Sequence, residues 1–196
     1  MVSVIVLAAG SSRRMGGSNK LLLPWKNSTL IQHAVEVCME SCADEVLVVL
    51  GHHSSRIKNA LWSCPVQFVE NPLYKQGMLT SIQAGIRGAS PESEGWIIFL
   101  SDQPRMSVSL LNRLIESFRM HHRPEKDLIV LPVCGGIRRN PVLFSRSFRE
   151  RLLNHRGDRA RELVRTHENC IIEIGAETVE MFGDVDTPDE YEILKT

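Results

Sequence analysis

Val4-Ile5-Val6-Leu7-Ala8-Ala9-Gly10-Ser11-Ser12-Arg13-Arg14-Met15-Gly16-Gly17-Ser18-Asn19-Lys20 is the stretch whose reading decides the fold. Its first half is an unbroken apolar run. The run is too short to cross a bilayer and has no basic flank, so a buried first strand is expected rather than a leader or an anchor. Unbroken hydrophobicity, in place of alternation, suits a strand of a parallel sheet whose two faces are both covered by helices. The second half is a loop of small residues with Arg14 and Lys20 set into it.

Outward from this stretch the same grammar repeats. Apolar, β-branched or leucine-rich runs predict strands at 45–50, 66–69, 96–100 and 128–132. Between them Leu30, Ala34, Val37 and Cys38 share one helical face, as do Leu110, Leu111, Leu114, Ile115 and Phe118. Thr29 is a candidate N-cap for the first of these helices, and Ser107 or Ser109 for the second. Segments 56–61 and 79–87 supply two more crossovers. Strand–helix alternation with short connections predicts right-handed βαβ units and an α/β, doubly wound, mostly parallel sheet. A small antiparallel excursion is expected near residues 129–144, where Gly135-Gly136 stands between apolar runs at 129–133 and 142–144. Helices at 148–153 and 160–167, a strand at 171–174 and a helix opening with Pro188 in its first turn complete the pattern. Without repeats or a linker, residues 1–196 are expected to form one domain.

Composition narrows the function. Of 196 residues 43% are hydrophobic and 23% charged, with Lys plus Arg equal to Asp plus Glu at 23 each. A core of ordinary size is expected, and the positive footprint of a nucleic-acid binder is absent. Local clusters of cations (Arg13, Arg14 and Lys20; Arg138 and Arg139) point instead to small anionic ligands. The five cysteines have no metal-ligand spacing and read as reduced small hydrophobes, which places the chain in the cytoplasm. Trp25, Trp62 and Trp96 read as packing residues, and the histidines as solvated.

The first loop follows the carboxyl end of a strand, the edge where open parallel sheets bind ligands. Its backbone N–H groups can form an anion nest, and Arg14 and Lys20 add full charges within reach of phosphate oxygens. No Gly-Lys-Ser/Thr closes the loop and no G-x-G-x-x-G occurs, so it is neither a Walker A loop nor a dinucleotide fingerprint. Asp102 stands just beyond the apolar strand Ile97-Ile98-Phe99-Leu100, directed at the same crevice. Magnesium favours one or two carboxylates completed by phosphate oxygens and water, which makes Asp102 a candidate ligand. Asp184 and Asp186 form a second candidate site; extended backbone would put both on one side, although Asp186 could be only an N-cap. Asn71-Pro72 opens a turn, and Thr80 and Ser81 read as caps of the helix after Gly77.

Taken together, Leu7-Ala8-Ala9-Gly10, Arg14-Met15-Gly16 and Asn19-Lys20-Leu21-Leu22-Leu23-Pro24 resemble the signature of the MobA-like nucleotidyltransferases. The likeness continues through Thr29-Leu30-Ile31, Asn71-Pro72, Gly77-Met78, Ser101-Asp102-Gln103-Pro104, Asn140-Pro141-Val142-Leu143-Phe144, Gly157-Asp158 and Asp184-Val185-Asp186-Thr187-Pro188. Within that group it is most similar to the molybdenum cofactor cytidylyltransferases. The resemblance implies a Rossmann-like nucleotidyltransferase fold and Mg²⁺-dependent transfer of CMP from CTP to the phosphate of molybdopterin, with pyrophosphate released. It also implies roles: Arg14, Lys20 and Asp102 in catalysis, with Asp102, Asp184 and Asp186 toward Mg²⁺. Leu7, Ala8, Ala9, Gly10, Lys20, Asn71, Leu79, Thr80, Ser81 and Asp102 would contact the nucleotide. Asn140, Pro141, Gly157 and Asp158 would face the acceptor, and a molybdenum hydroxylase is a possible recipient of the product. GTP, another phosphorylated acceptor, or a non-catalytic cofactor carrier are the alternatives. Three positions depart from the family pattern: Arg139 and the Gly157-Asp158-Arg159 stretch each lack a usual glycine, and Asn27-Ser28 replaces a glycine turn. The first two bear on acceptor identity.

Overall fold

The computed structural model describes residues 1–15, 19–156 and 160–195. The chain opens with β1 (Val2–Ala8), passes the first loop, and forms a ribbon of β2 (Pro24–Trp25) and β3 (Ser28–Thr29) before α1 (Leu30–Met39). Next come β4 (Glu45–Leu50), α2 (Ser54–Ala60), β5 (Gln67–Glu70), α3 (Met78–Gly88), β6 (Gly95–Leu100) and α4 (Val108–His121). The remainder is β7 (Ile129–Cys134), β8 (Ile137–Arg138), β9 (Val142–Ser145), α5 (Arg149–Asn154), α6 (Arg161–Thr166), β10 (Ile171–Gly175) and α7 (Pro188–Lys195).

The main sheet runs β10-β7-β9-β6-β1-β4-β5, with β8 attached to β7. Every pairing along β10-β7 and β6-β1-β4-β5 is parallel, whereas β9 is antiparallel to both β6 and β7. The fold is therefore the expected α/β architecture with a mostly parallel sheet, and β2-β3 form a separate antiparallel pair. The excursion after β7 is richer than a single hairpin. Gly135 and Gly136, at φ 58° and 74°, make the two-residue turn from β7 into β8, a left-handed geometry that suits a tight hairpin. The run at 142–144 is not the hairpin partner; it inserts between β6 and β7 and closes the sheet across their gap.

Both faces of β1 are buried, which is why its sequence does not alternate. Val2, Val4, Val6 and Ala8 enter a cluster with residues of α1 and α4, while Ile5 enters another with residues of α3, α5 and α6. Burying each of these valine and isoleucine side chains contributes about 1.5–3 kcal/mol. α1 starts at Thr29 with a reciprocal capping box to Gln32, and α4 starts at Ser107, whose hydroxyl accepts from the Leu110 N–H. Ser109 lies inside the helix. α3 has no side-chain cap, contrary to the reading of Thr80 and Ser81; both sit within its first turn.

A third cluster joins Trp25, Leu30, Val185 and Tyr191. Tyr191 donates its hydroxyl to the Pro24 carbonyl, so α7 is fastened to the segment just after the first loop. This contact returns the carboxyl-terminal residues to the carboxyl edge of the sheet. Trp96 and Trp25 pack in the interior, but Trp62 is 83% exposed and takes no part in the core. Among the histidines only His121 is exposed; His122, stacked on Phe118 with ring centroids 4.7 Å apart, corrects the expectation of solvated rings. The five cysteines are free thiols. No helix among the described residues is long and apolar enough to cross a membrane.

Candidate active site

β1, β4 and β6 run parallel, so the loops after Ala8, Leu50 and Leu100 gather at one edge. The ends are tied: Ser101 donates its hydroxyl to the Leu7 carbonyl at 2.6 Å, and the His52 N–H donates to the Ala9 carbonyl at 3.1 Å. Between them lies a cavity of about 1030 Å³, ample for a nucleotide and part of a second substrate. Leu7, Ala9, Gly10, Arg14, Lys20, Ser81, Asp102 and Asp186 line it.

At one side of the cavity the charges converge on Lys20. Its ammonium donates to Asp102 Oδ2 at 2.6 Å and to Asp186 Oδ1 at 2.9 Å, and Arg14 Nη2 holds Asp186 Oδ2 at 2.8 Å. The Lys20 side chain is only 14% exposed. Burial alone would lower its pKa, but the Asp102 and Asp186 carboxylates outweigh that and hold it above the ordinary value. Burial likewise pushes the Asp186 carboxyl up, and Lys20 and Arg14 reverse the shift, keeping it below the usual carboxylate range. Local sequence sets this geometry. Asn19 caps the short turn at Lys20–Leu22 by accepting from the Leu21 N–H, while the Lys20 N–H donates to Ser12 Oγ at 3.2 Å.

Asp184 and Asp186 separate in the structure. Asp184 accepts from Gln103 Nε2 at 2.8 Å and does not line the cavity. Although the residue as a whole is exposed, desolvation by surrounding atoms and then the Asp102 charge hold its carboxyl above the usual value. Between them, buried Val185 donates its N–H to the Asp102 carbonyl at 2.9 Å, which seats the segment against the strand-end loop. Asp186 is not the helix cap. Thr187 and Glu190 cap α7 instead, since the Glu190 carboxylate accepts from the Asp186 and Thr187 N–H groups and the Glu190 N–H donates to Thr187 Oγ1. The expected trio of Asp102, Asp184 and Asp186 thus resolves into a pair; among the described residues no three His, Cys, Asp or Glu side chains gather as a metal site. Two carboxylates on the wall of this cavity still fit a hard divalent cation that completes its shell with phosphate oxygens and water.

Other expected contacts fall outside the cavity wall. Ala8 is turned into the core by strand alternation and Leu79 is buried. Asn71 and Thr80 stand behind the wall: Asn71 Nδ2 donates to Thr80 Oγ1 at 2.9 Å and to Ser81 Oγ at 3.0 Å, which aims the Ser81 hydroxyl. Asn140 and Pro141 immediately precede β9 at the same edge, but they do not line this cavity. Gly157 and Asp158, like Gly16, lie outside the described residues. His52, Tyr74 and Lys75 do line the cavity and escaped the sequence reading. Position was the available signal for His52, since it follows a strand paired with β1; Lys75 had only its charge near Gly77.

The profile of the MobA-like NTP transferase domain matches residues 4–170. The chain is 26% identical over 192 residues to the molybdenum cofactor cytidylyltransferase of Escherichia coli (strain K12), covering 97% of this chain and 93% of that protein. It is 31% identical over 203 residues to the purine catabolism protein PucB of Bacillus subtilis (strain 168), covering 97% and 94%. The solved structure of Rv0371c from Mycobacterium tuberculosis H37Rv superposes with a TM-score of 0.86 at 25% identity, covering 99% of this chain and 97% of that one. The same protein has also been solved in complex with manganese (TM-score 0.79, 25% identity, 98% and 97% covered). The strand-end cavity, its paired carboxylates and the shared lysine thus stand in a chain that belongs to the MobA-like NTP transferase family and is a nucleotidyltransferase.

Proposed function

We propose that this enzyme transfers the CMP moiety of CTP to the phosphate of a molybdopterin-type acceptor and releases pyrophosphate. The observation that carries the reading is the Lys20 ammonium held between Asp102 and Asp186 beside the glycine-containing first loop. Such a cluster offers a triphosphate one cation in Lys20, a second in Arg14, and a pair of carboxylates for a divalent ion.

An oxygen of the acceptor phosphate forms a new bond to the α-phosphorus, and the bond from that phosphorus to the bridging oxygen of the β-phosphate breaks. The acceptor oxygen is already ionised near neutral pH, so no side chain has to remove a proton. Catalysis rests on positioning and charge neutralisation. Lys20 and Arg14 bind the triphosphate oxygens, and the N–H groups of the loop around Gly10 to Ser12 line its path. Asp102 and Asp186 would hold Mg²⁺, which supplies further neutralisation of the triphosphate when bound. Ala9, Tyr74 and His52 share the cavity wall, and the likeness to the molybdenum cofactor cytidylyltransferase of Escherichia coli supports CTP over GTP. Ser81, oriented by Asn71, offers a hydroxyl to the base or ribose.

The test is pyrophosphate release from each of the four ribonucleoside triphosphates with Mg²⁺, with and without molybdopterin. Acceptor-dependent release with CTP supports the proposal. Release with GTP alone would reassign the base, and absence of release with every triphosphate would remove the transferase reaction on this acceptor.

A further inference from the structure

Arg138 and Arg139 are neighbours in sequence with opposite surroundings. The Arg138 guanidinium is fully engaged, its Nη1 and Nη2 each 2.7 Å from Glu168 and its Nε 2.7 Å from Glu173. The Arg139 guanidinium has no carboxylate or carbonyl partner among the described residues. Its Nε is buried without an acceptor, and its Cζ lies 5.8 Å from the centroid of the Phe182 ring. Phe182 is itself only 6% exposed. The Arg139 backbone is fixed as well, its N–H donating to the Pro132 carbonyl at 2.8 Å. A buried guanidinium N–H left unmatched is costly, so a fold that holds one on a rigid aromatic shelf keeps a charge ready for an outside partner.

Topology places that charge at the reaction edge. β7 and β6 point the same way, separated by β9, so the end of β7 that carries Pro132 lies on the edge where Asp102 leaves β6. Asn140-Pro141 leads from Arg139 into Val142, which pairs with Ile98 two residues before the end of β6. Phe182 belongs to the segment that delivers Asp184, Val185 and Asp186, and Val185 is bonded to Asp102. Arg139 does not line the cavity that holds Arg14 and Lys20; the strand order puts it on the same edge of the sheet, across β9 from β6.

We propose that Arg139 is the anion subsite for the acceptor, its fork receiving two oxygens of a phosphate monoester. The chemistry demands such a group: a monoester carrying nearly two negative charges must approach a triphosphate, and their repulsion is severe unless a cation stands on the acceptor's side. A guanidinium offers a planar fork that matches two phosphate oxygens, which lysine could not reproduce. The inference deepens the transferase reading and takes the phosphate character of the acceptor from it.

Arg139→Gln and Arg139→Lys test it through two readouts, steady-state turnover and direct equilibrium binding of molybdopterin without nucleotide. Loss of one charge-assisted contact pair should weaken molybdopterin binding and raise its KM about 10- to 100-fold in Arg139→Gln. The CTP Kd should stay within about twofold. Arg139→Lys keeps the charge over Phe182 but not the fork and should fall between wild type and Arg139→Gln, which also covers the case in which the glutamine variant folds poorly. Equal molybdopterin binding by wild type and both variants overturns the inference, and so does an equal weakening of CTP binding. If wild type binds molybdopterin but releases no pyrophosphate, the transferase reading fails while the binding comparison still decides the role of Arg139.

Discussion

Replacing Lys20 with methionine keeps an unbranched side chain, one atom shorter, and deletes its ammonium group. Asp102 and Asp186 then face one another without the ammonium that now bonds both, at 2.6 and 2.9 Å. Exposed ion pairs contribute about 0–1 kcal/mol, whereas removing one partner of a fully buried pair costs about 3–5 kcal/mol. The Lys20, Asp102 and Asp186 side chains are 14, 23 and 27% exposed, and Arg14 remains on Asp186, so a loss of about 1–3 kcal/mol at pH 7 is expected. The pH dependence follows from the shifts. Lys20 is raised from 10.5, so its contribution is complete below that value and is lost as pH rises through the folded value. Asp186 is lowered from 3.8, so its contribution is complete above that value and is lost as pH falls through the folded value. The difference between wild type and Lys20→Met should therefore be largest between those limits and shrink in acid. Urea unfolding at pH 7 and near pH 3 measures it. A loss of equal size at both pH values, or none at pH 7, would refute the charge argument. Turnover should fall about 10²–10³-fold as the positioned cation is lost.

Three further changes probe separate parts of the site, and a fourth in the core serves as their control. Asp102→Asn should weaken Mn²⁺ binding in the presence of CTP at least about tenfold, read by electron paramagnetic resonance of the free ion; unchanged affinity would exclude Asp102 as a ligand. Ala9→Gly should raise the GTP-to-CTP ratio of kcat/KM about tenfold, the usual scale for one methyl-sized change in a pocket, and an unchanged ratio would take Ala9 out of base selection. A Cβ at Gly51 would lie 2.7 Å from Tyr74 and 2.8 Å from Ala9, so Gly51→Ala should cost about 1–3 kcal/mol and weaken CTP binding. Gly85→Ala, whose Cβ would collide with Ile5 in the core, should lower stability while the folded protein keeps its CTP affinity.

Much of this was legible because the sheet writes its demands locally. The first strand shows no alternation since Val4 and Ile5 enter opposite cores, and the loop after it had to lie at the ligand edge. The charged cluster of Lys20 and Asp102 could be anticipated from strand ends alone. Distant pairings could not. Nothing local says that the short run at 142–144 inserts between β6 and β7, because its partners are chosen by the sheet's open gap. Spacing also could not divide Asp184 from Asp186. The division depends on Val185, which is buried against the core and bonded to Asp102, and on Tyr191 reaching Pro24. His52 and Tyr74 join the wall through the close approach that Gly51 permits, a contact without a sequence signature. Arg139 was visible as half of a cationic pair and as a departure from a family pattern; its ring shelf came from Phe182, far along the chain.

The central claim is transfer of the nucleotidyl group itself, and CTP labelled at its α-phosphorus tests it most directly. With Mg²⁺ and molybdopterin, the label should appear in a cytidylylated acceptor in a one-to-one ratio with pyrophosphate, and Lys20→Met should slow the formation of both about 10²–10³-fold. Label that stays in CTP, or emerges as free CMP whether or not acceptor is present, would contradict the account.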